Sequence, residues 1–257
     1  MKIVRYKADN VIYFGKLEGD DTVRRLEGNP LEGVNATEVT HRLNQVQLLA
    51  PIEPPRVFGV GLNYLSHIRE SGQKVPSFPM LFMKPSTAVI GPEAPIVYPR
   101  RGKEVCYEGE LAVVIGRKVR CVSQQEALDC VFGYTCANDV SERTIQFAEM
   151  KTGCLLIGKG FDTFCPLGPI IVTDLDPGSL ELDTRVNSQE RQHANTSDLL
   201  FTVDKLIAYI SEAVTLLPGD VILTGTPSGV GPVTPGDLIE IEISGIGVLT
   251  NPVVAET

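Results

Sequence analysis

Short apolar runs separated by turn residues dominate this sequence and leave little room for a helical or doubly wound architecture. From Arg56 onward they recur as Val57–Val60, Leu81–Met83, Leu111–Gly116, Gly133–Ala137, Ile170–Thr173, Val221–Thr224 and Leu238–Ile243, each of strand length. The 24 glycines and 18 prolines supply the turns between them. Helical patterns are fewer. Ser123-Gln124-Gln125-Glu126 has capping-box spacing and predicts a helix running toward Cys130. Val203 to Leu216 sets Leu206, Ile207, Ile210 and Val214 on one stripe before Pro218-Gly219 ends it, and a third helix is predicted from Ser141 to about Met150. There is no βαβ rhythm and no internal repeat, so the pattern predicts a β-rich α+β fold.

The first fifty residues alternate apolar and polar positions and break at Ala8-Asp9-Asn10 and Gly19-Asp20-Asp21, as short antiparallel strands do. Pro51-Ile52-Glu53-Pro54-Pro55 can neither continue a helix nor pair inside a sheet. We therefore expect a small β-rich unit over residues 1–55 and a catalytic domain over residues 56–257. With 43% hydrophobic and 21% charged residues, a chain of 257 residues is long enough to bury a core unaided. No apolar window reaches membrane-spanning length and the first residues lack a signal-peptide core, so neither a membrane nor secretion is expected. A net charge of −9 with no basic run disfavours nucleic acid. Six cysteines without a C-x-x-C pair fit the reducing cytoplasm.

Chemistry is concentrated in a few segments. In Tyr107-Glu108-Gly109-Glu110-Leu111, period-two geometry points Glu108 and Glu110 to one face. Two like charges there need either solvent or a cation. A third carboxylate, Asp139, follows the apolar run ending at Ala137-Asn138, where it could cap a helix or face a cleft. Were the three to converge, their hard oxygens would leave about half of an octahedral shell for water and substrate, which suits Mg²⁺ or Mn²⁺. His67 and Glu70 stand three apart before Gly72, neighbours on one helical face. They read as surface decoration or as an imidazole oriented by a carboxylate to act as a base.

Lys159 ends a Gly153-to-Lys159 stretch with the front spacing of a P-loop. Residue 160 is glycine and the spacer is apolar, so a nucleotide-phosphate site is not expected. Gly59-Val60-Gly61 and the loop Gly225 to Gly231 are glycine-rich without completing a dinucleotide fingerprint.

Taken in order, Gly59 to Gly72, Phe82 to Val89, Tyr107 to Gly116, Ala137 to Gln146, Lys159 to Pro169 and Leu223 to Gly231 resemble the fumarylacetoacetate hydrolase family over about residues 57–250. The resemblance implies a rolled mixed β-sheet catalytic domain, usually in a homodimer, with a divalent metal on Glu108, Glu110 and Asp139. It implies an active-site role for Lys159, a lid dyad of His67 and Glu70, and substrate contacts from Lys84, Arg143, Gln146, Gly225 and Thr226. The chain departs from the family between Phe147 and Ile157, where many members carry tryptophan, so the distal pocket does not follow from the resemblance.

The implied substrate is a small 2-oxo acid. Chelation through its C1 carboxylate and C2 oxygen, with charge opposed by Lys159, would stabilise the enolate left when the C3–C4 bond breaks. The expected activity is metal-dependent C–C hydrolysis of 2,4-dioxo acids of the acylpyruvate or fumarylpyruvate type. The alternatives are oxaloacetate decarboxylation or tautomerisation, 2-hydroxyhepta-2,4-diene-1,7-dioate isomerisation, and a metal-binding domain without activity. Residues from Leu65 to Pro79 are expected to form a lid.

Overall fold

The computed structural model describes residues 1–54 and 56–257. Strands β1 (Lys2–Ala8), β2 (Val11–Glu18), β3 (Thr22–Leu26) and β4 (Ala36–Arg42) form the antiparallel meander that the alternation predicts. Asp9 and Asn10 turn the first hairpin with φ of 48° and 63°, the doubly left-handed geometry that matches strand twist and that Asp and Asn tolerate.

The remaining main strands are β5 (Val57–Gly61), β6 (Met80–Lys84), β7 (Gly109–Ile115), β8 (Val131–Asn138), β9 (Cys165–Val172), β10 (Glu181–Val186), β11 (Gln189–Asn195), β12 (Val221–Leu223), β13 (Leu238–Ile243) and β14 (Gly247–Ala255). A twelve-stranded mixed sheet carries ten of the named strands in the order β4-β3-β2-β1-β9-β8-β7-β12-β5-β6. The pairing of β12 with β5 is parallel. The amino-terminal meander is not a sheet of its own, because Lys2 and Ile3 pair with Val172 and Ile171 of β9. One sheet therefore crosses from the first fifty residues into the rest of the chain.

Strand β7 shows why this sheet is central. Leu111, Val113 and Ile115 enter one core with Leu182, Leu206 and Ile241, while Ala112 and Val114 enter a second with Ile3, Val57 and Leu223. A strand buried on both faces needs the unbroken apolar run that this segment has. The first core is closed by a five-stranded sheet of β11, β10, β13, β14 and Ile96–Tyr98. Of these, only β13 was predicted from an apolar run. Strand β10 hides its signal because Glu181, Asp183 and Arg185 alternate with the buried Leu182, Thr184 and Val186.

Helices α1 (Leu65–Ser71), α2 (Arg143–Met150), α3 (Ile157–Gly160) and α4 (Val203–Ala213) are short. Helix α4 buries the predicted Leu206, Ile207 and Ile210, but it stops at Val214, because Leu216 bridges to Val119 in extended backbone. Helix α2 starts two residues late because Ser141 and Glu142 pair with Cys106 and Val105, and the Glu142 carboxylate then caps the Ile145 amide. The helix expected after Ser123 is only two 3₁₀ turns, Gln124–Glu126 and Leu128–Cys130. There the Ser123 hydroxyl donates to the Glu126 carboxylate instead of accepting from the backbone, and no apolar stripe supports a longer helix. Strand β9 begins earlier than Ile170 and takes in Pro166 and Pro169, and its pairing with β8 shifts register around Pro169, between Gly168 and Val172. Among the described residues, no helix is long and apolar enough to cross a membrane.

Candidate active site

Hairpin register brings the carboxylates together. Gly109 pairs with Asn138 and Glu110 with Ala137, while the Asp139 amide donates to the Glu108 carbonyl at 2.9 Å. The Asn138 side-chain oxygen accepts from the Glu108 amide, which fixes the strand ends against each other. Glu108, Glu110 and Asp139 thus offer oxygens within 4.8 Å of one another, all buried.

Two lysines enclose this cluster. Lys159 Nζ donates to Glu108 Oε2 at 2.8 Å and to Asp139 Oδ2 at 2.5 Å. Lys84 Nζ donates to Asp139 Oδ1 at 2.6 Å and to the Val140 carbonyl. Arg143 stands 3.5 Å from Glu108, and the Ser141 hydroxyl donates to Glu108 Oε1 at 2.7 Å. Burial alone would raise the Glu108 pKa, but Lys159 and Arg143 outweigh it and hold the carboxyl down at about 2. Burial opposes the charge on Lys159, yet Asp139 and Glu108 raise its pKa and keep the ammonium protonated.

Glu110 is different. It accepts the Gly225 amide at 2.6 Å, and among the described residues no side-chain cation pairs with it. Burial, followed by repulsion from Asp139 and Glu108, pushes its pKa well above the usual carboxylate range. A hard divalent cation would relieve that burial and repulsion together. With three carboxylates as the donor set, the residues present fit Mg²⁺ or Mn²⁺.

The cluster opens into a cleft of about 800 Å³. Glu108, Asp139, Lys159, Arg143, Gln146 and Thr226 line it, with His67 and Glu70 on one wall. Helix α1 carries that pair and ends at Gly72, whose φ of 65° is the left-handed stop that glycine allows. His67 Nδ1 lies 3.3 Å from Glu70 Oε2, and the Gly229 amide donates to the same carboxylate at 3.1 Å. The dyad is therefore tied to the glycine-rich loop.

Two residues expected to touch substrate, Lys84 and Gly225, reach the carboxylates and are not among those lining the cleft. Lys84 is 2% exposed and holds Asp139. Gly225 presents its amide to Glu110, and a side chain at its φ of 99° would meet Asn63 Cβ at 2.7 Å. Thr226 faces the cleft, with its hydroxyl donating to the Gly109 carbonyl and accepting from Gln192. Sequence reasoning missed Ser141, Gln192 and Asn63. Gln192 accepts the Gly109 amide at 3.0 Å, and Asn63 binds the Phe201 and Thr224 carbonyls. Ser141 lies two residues past Asp139, a spacing that could have placed it on the same face. Gln192 sits in a strand of polar residues with no signal.

Residues 56–254 match the family described as fumarylacetoacetate (FAA) hydrolase C-terminal, and residues 1–51 match a family described as Rv2993c-like, N-terminal. The chain belongs to the fumarylacetoacetate hydrolase family. It is 45% identical to Protein Rv2993c of Mycobacterium tuberculosis, over 99% of this chain and 98% of that protein. It is 44% identical to the mitochondrial oxaloacetate tautomerase fahd2 of Xenopus laevis, over 82% of this chain and 69% of that one. A solved 5-carboxymethyl-2-hydroxymuconate delta-isomerase from Mycobacterium smegmatis superposes with TM-score 0.93 at 46% identity, covering both chains fully. A maleylpyruvate hydrolase from Sphingobium sp. SYK-6, solved with manganese(II) and pyruvate, superposes with TM-score 0.82 at 32% identity, again over both full chains.

Proposed function

We propose that the protein is a divalent-cation-dependent enzyme acting on 2,4-dioxo and related 2-oxo acids through an enolate at C3, with hydrolysis of the C3–C4 bond as its main reaction. The observation that carries this reading is the placement of the His67–Glu70 dyad on the same cleft as Glu108, Asp139 and Lys159. Glu108, Glu110 and Asp139 would hold Mg²⁺ or Mn²⁺, which supplies Lewis-acid polarisation of the substrate's C1 carboxylate and C2 oxygen.

The residues of the chain divide the remaining work. With Nδ1–H directed at Glu70, His67 keeps its Nε2 lone pair free to take a proton from water. The water oxygen bonds to C4, the C3–C4 bond breaks, and its electron pair passes onto the C2 oxygen. Lys159 and Arg143, fixed at the carboxylate end, oppose that charge. C3 then takes the proton from His67, giving pyruvate and the acid of the C4 substituent.

A second reading, enol–keto tautomerisation or double-bond isomerisation, needs the same base but no attacking water. The relatives named oxaloacetate tautomerase and delta-isomerase, at 44% and 46% identity, favour it. Decarboxylation of oxaloacetate would use the same enolate. A product assay over an acylpyruvate, fumarylpyruvate, oxaloacetate and a 2-hydroxydienoate, with and without Mn²⁺, tests the proposal. Pyruvate and a free acid in equal amounts from the acylpyruvate are expected, and keto–enol interconversion without cleavage would transfer the assignment to the second reading.

A further inference from the structure

The charges in the cleft are distributed unevenly. Its two permanent cations, Lys159 and Arg143, are both paired with Glu108 at the carboxylate end, and Arg143 also stands over the Phe147 ring. Beyond them much of the wall is apolar: Phe78 precedes β6, Met80 and Leu81 open it, Phe147 and Met150 come from α2, and Leu155 from the loop after it. Phe78 is 59% exposed and Phe147 50%, an unusual amount of aromatic surface to leave in water at the mouth of a polar site. Apart from the carboxylate cluster, its two cations and His67, the charged side chains lining the cleft are Glu70 and Glu104, both anionic.

Resting on the reading above, we propose that the C4 substituent of the substrate is uncharged and apolar, an alkyl or aryl group, and that a second carboxylate there is selected against. A 2,4-dioxo acid has its C1 carboxylate and C2 oxygen at one end and its C4 substituent at the other. With the first end at the carboxylate–lysine cluster, the substituent extends between Phe78 and Phe147. An alkyl or phenyl group would remove apolar surface from water on both walls. The one cation near that wall, Arg143, which stands over the Phe147 ring at 5.6 Å, is already paired with Glu108, so a carboxylate there would lose solvent without gaining an unpaired cation, in a cleft that also carries Glu104 and Glu70. Among the lining residues, Phe147, Met150 and Phe78 thus set specificity without touching the reacting atoms.

Two substrates with the same head and different tails test this: 2,4-dioxo-4-phenylbutanoate and fumarylpyruvate, each with Mn²⁺. We expect kcat/KM to favour the phenyl compound by roughly 10-fold or more. Met150→Arg, at an exposed helix position, should shift the ratio toward fumarylpyruvate by a similar factor, and Phe78→Arg is the second variant should the first fold poorly. A wild-type preference for fumarylpyruvate, equal values for both, or a ratio unmoved by either arginine would overturn the proposal. If neither compound is turned over, the functional reading fails by itself. Selectivity is then read by calorimetry with Mn²⁺ and two unreactive acids, phenylpyruvate and 2-oxoglutarate, where tighter binding of phenylpyruvate supports the apolar tail site and equal or weaker binding rejects it.

Discussion

Asp139 accepts one ammonium on each oxygen, Lys84 on Oδ1 and Lys159 on Oδ2, and the two lysines have different consequences. Lys84 is not among the residues lining the cleft, and its loss strands part of a buried charge. Lys84→Met should cost about 3–5 kcal/mol of stability, the usual penalty for removing one partner of a buried pair, measured by urea denaturation without added cation. Glu110 lacks any such partner among the described residues, so its ionisation depends most on a cation. EDTA should abolish turnover and Mn²⁺ should restore it, whereas Glu110→Gln should lower kcat/KM by roughly 10²-fold or more even in excess Mn²⁺, a ligand being worth at least as much as its supporting groups. At this scale the grouping was legible: residue type and spacing single out Glu108, Glu110, Asp139, Lys159, His67 and Glu70, and the fold gathers them in one region. The positions of Lys84 and Gly225 were not, because a sequence does not say on which side of a sheet floor an amine or an amide will lie.

Among the elements, α1 and the α2–α3 pair carry the dyad and the active-site lysine to the cleft. Helix α1 holds the dyad on a short segment anchored below by Asn63 and through Glu70 to Gly229. His67→Ala should slow acylpyruvate cleavage by roughly 10²–10⁴-fold and oxaloacetate decarboxylation far less, because only the first needs a base to activate water. Equal losses in a side-by-side assay would make His67 a binding or closing residue. Glu149 of α2 accepts the amides of Leu156, Ile157 and Gly158 and so caps α3, which carries Lys159. Burial works against its charge, but those three amides lower its pKa below the usual carboxylate value. The sign follows: the contribution of Glu149 is complete above its unfolded pKa of about 4.3 and is lost as pH falls through the lower folded value. Amide exchange of residues 156–158 should therefore be protected at pH 6 in the wild type and lose that protection in Glu149→Gln, with the two proteins converging in strong acid. Elements with one apolar stripe, such as α4, could be read from sequence. The Ser123 helix could not, because its capping pattern has the spacing of a box whose hydroxyl is used by a side chain instead.

At the scale of the whole molecule, two sheets share one core, and the second of them was the least visible in the sequence. Strands β10 and β11 alternate charged residues with buried ones, so no apolar run marks them, yet Thr184 and Gln192 on those strands press directly against Gly109. A side chain at Gly109 would lie 2.2 Å from Thr184 Oγ1 and 3.2 Å from Gln192 Oε1. The residue between the two glutamates is thus a contact point between layers, and its smallness lets the second sheet seat against the strand that carries the acids. The pair of glutamates is consequently not a portable cassette. Grafted onto another hairpin with the same Glu-Gly-Glu spelling, it would carry its acids but not the threonine and glutamine that hold the strand between them, and a lineage free to vary its outer sheet would still have to preserve the footprint of these two side chains.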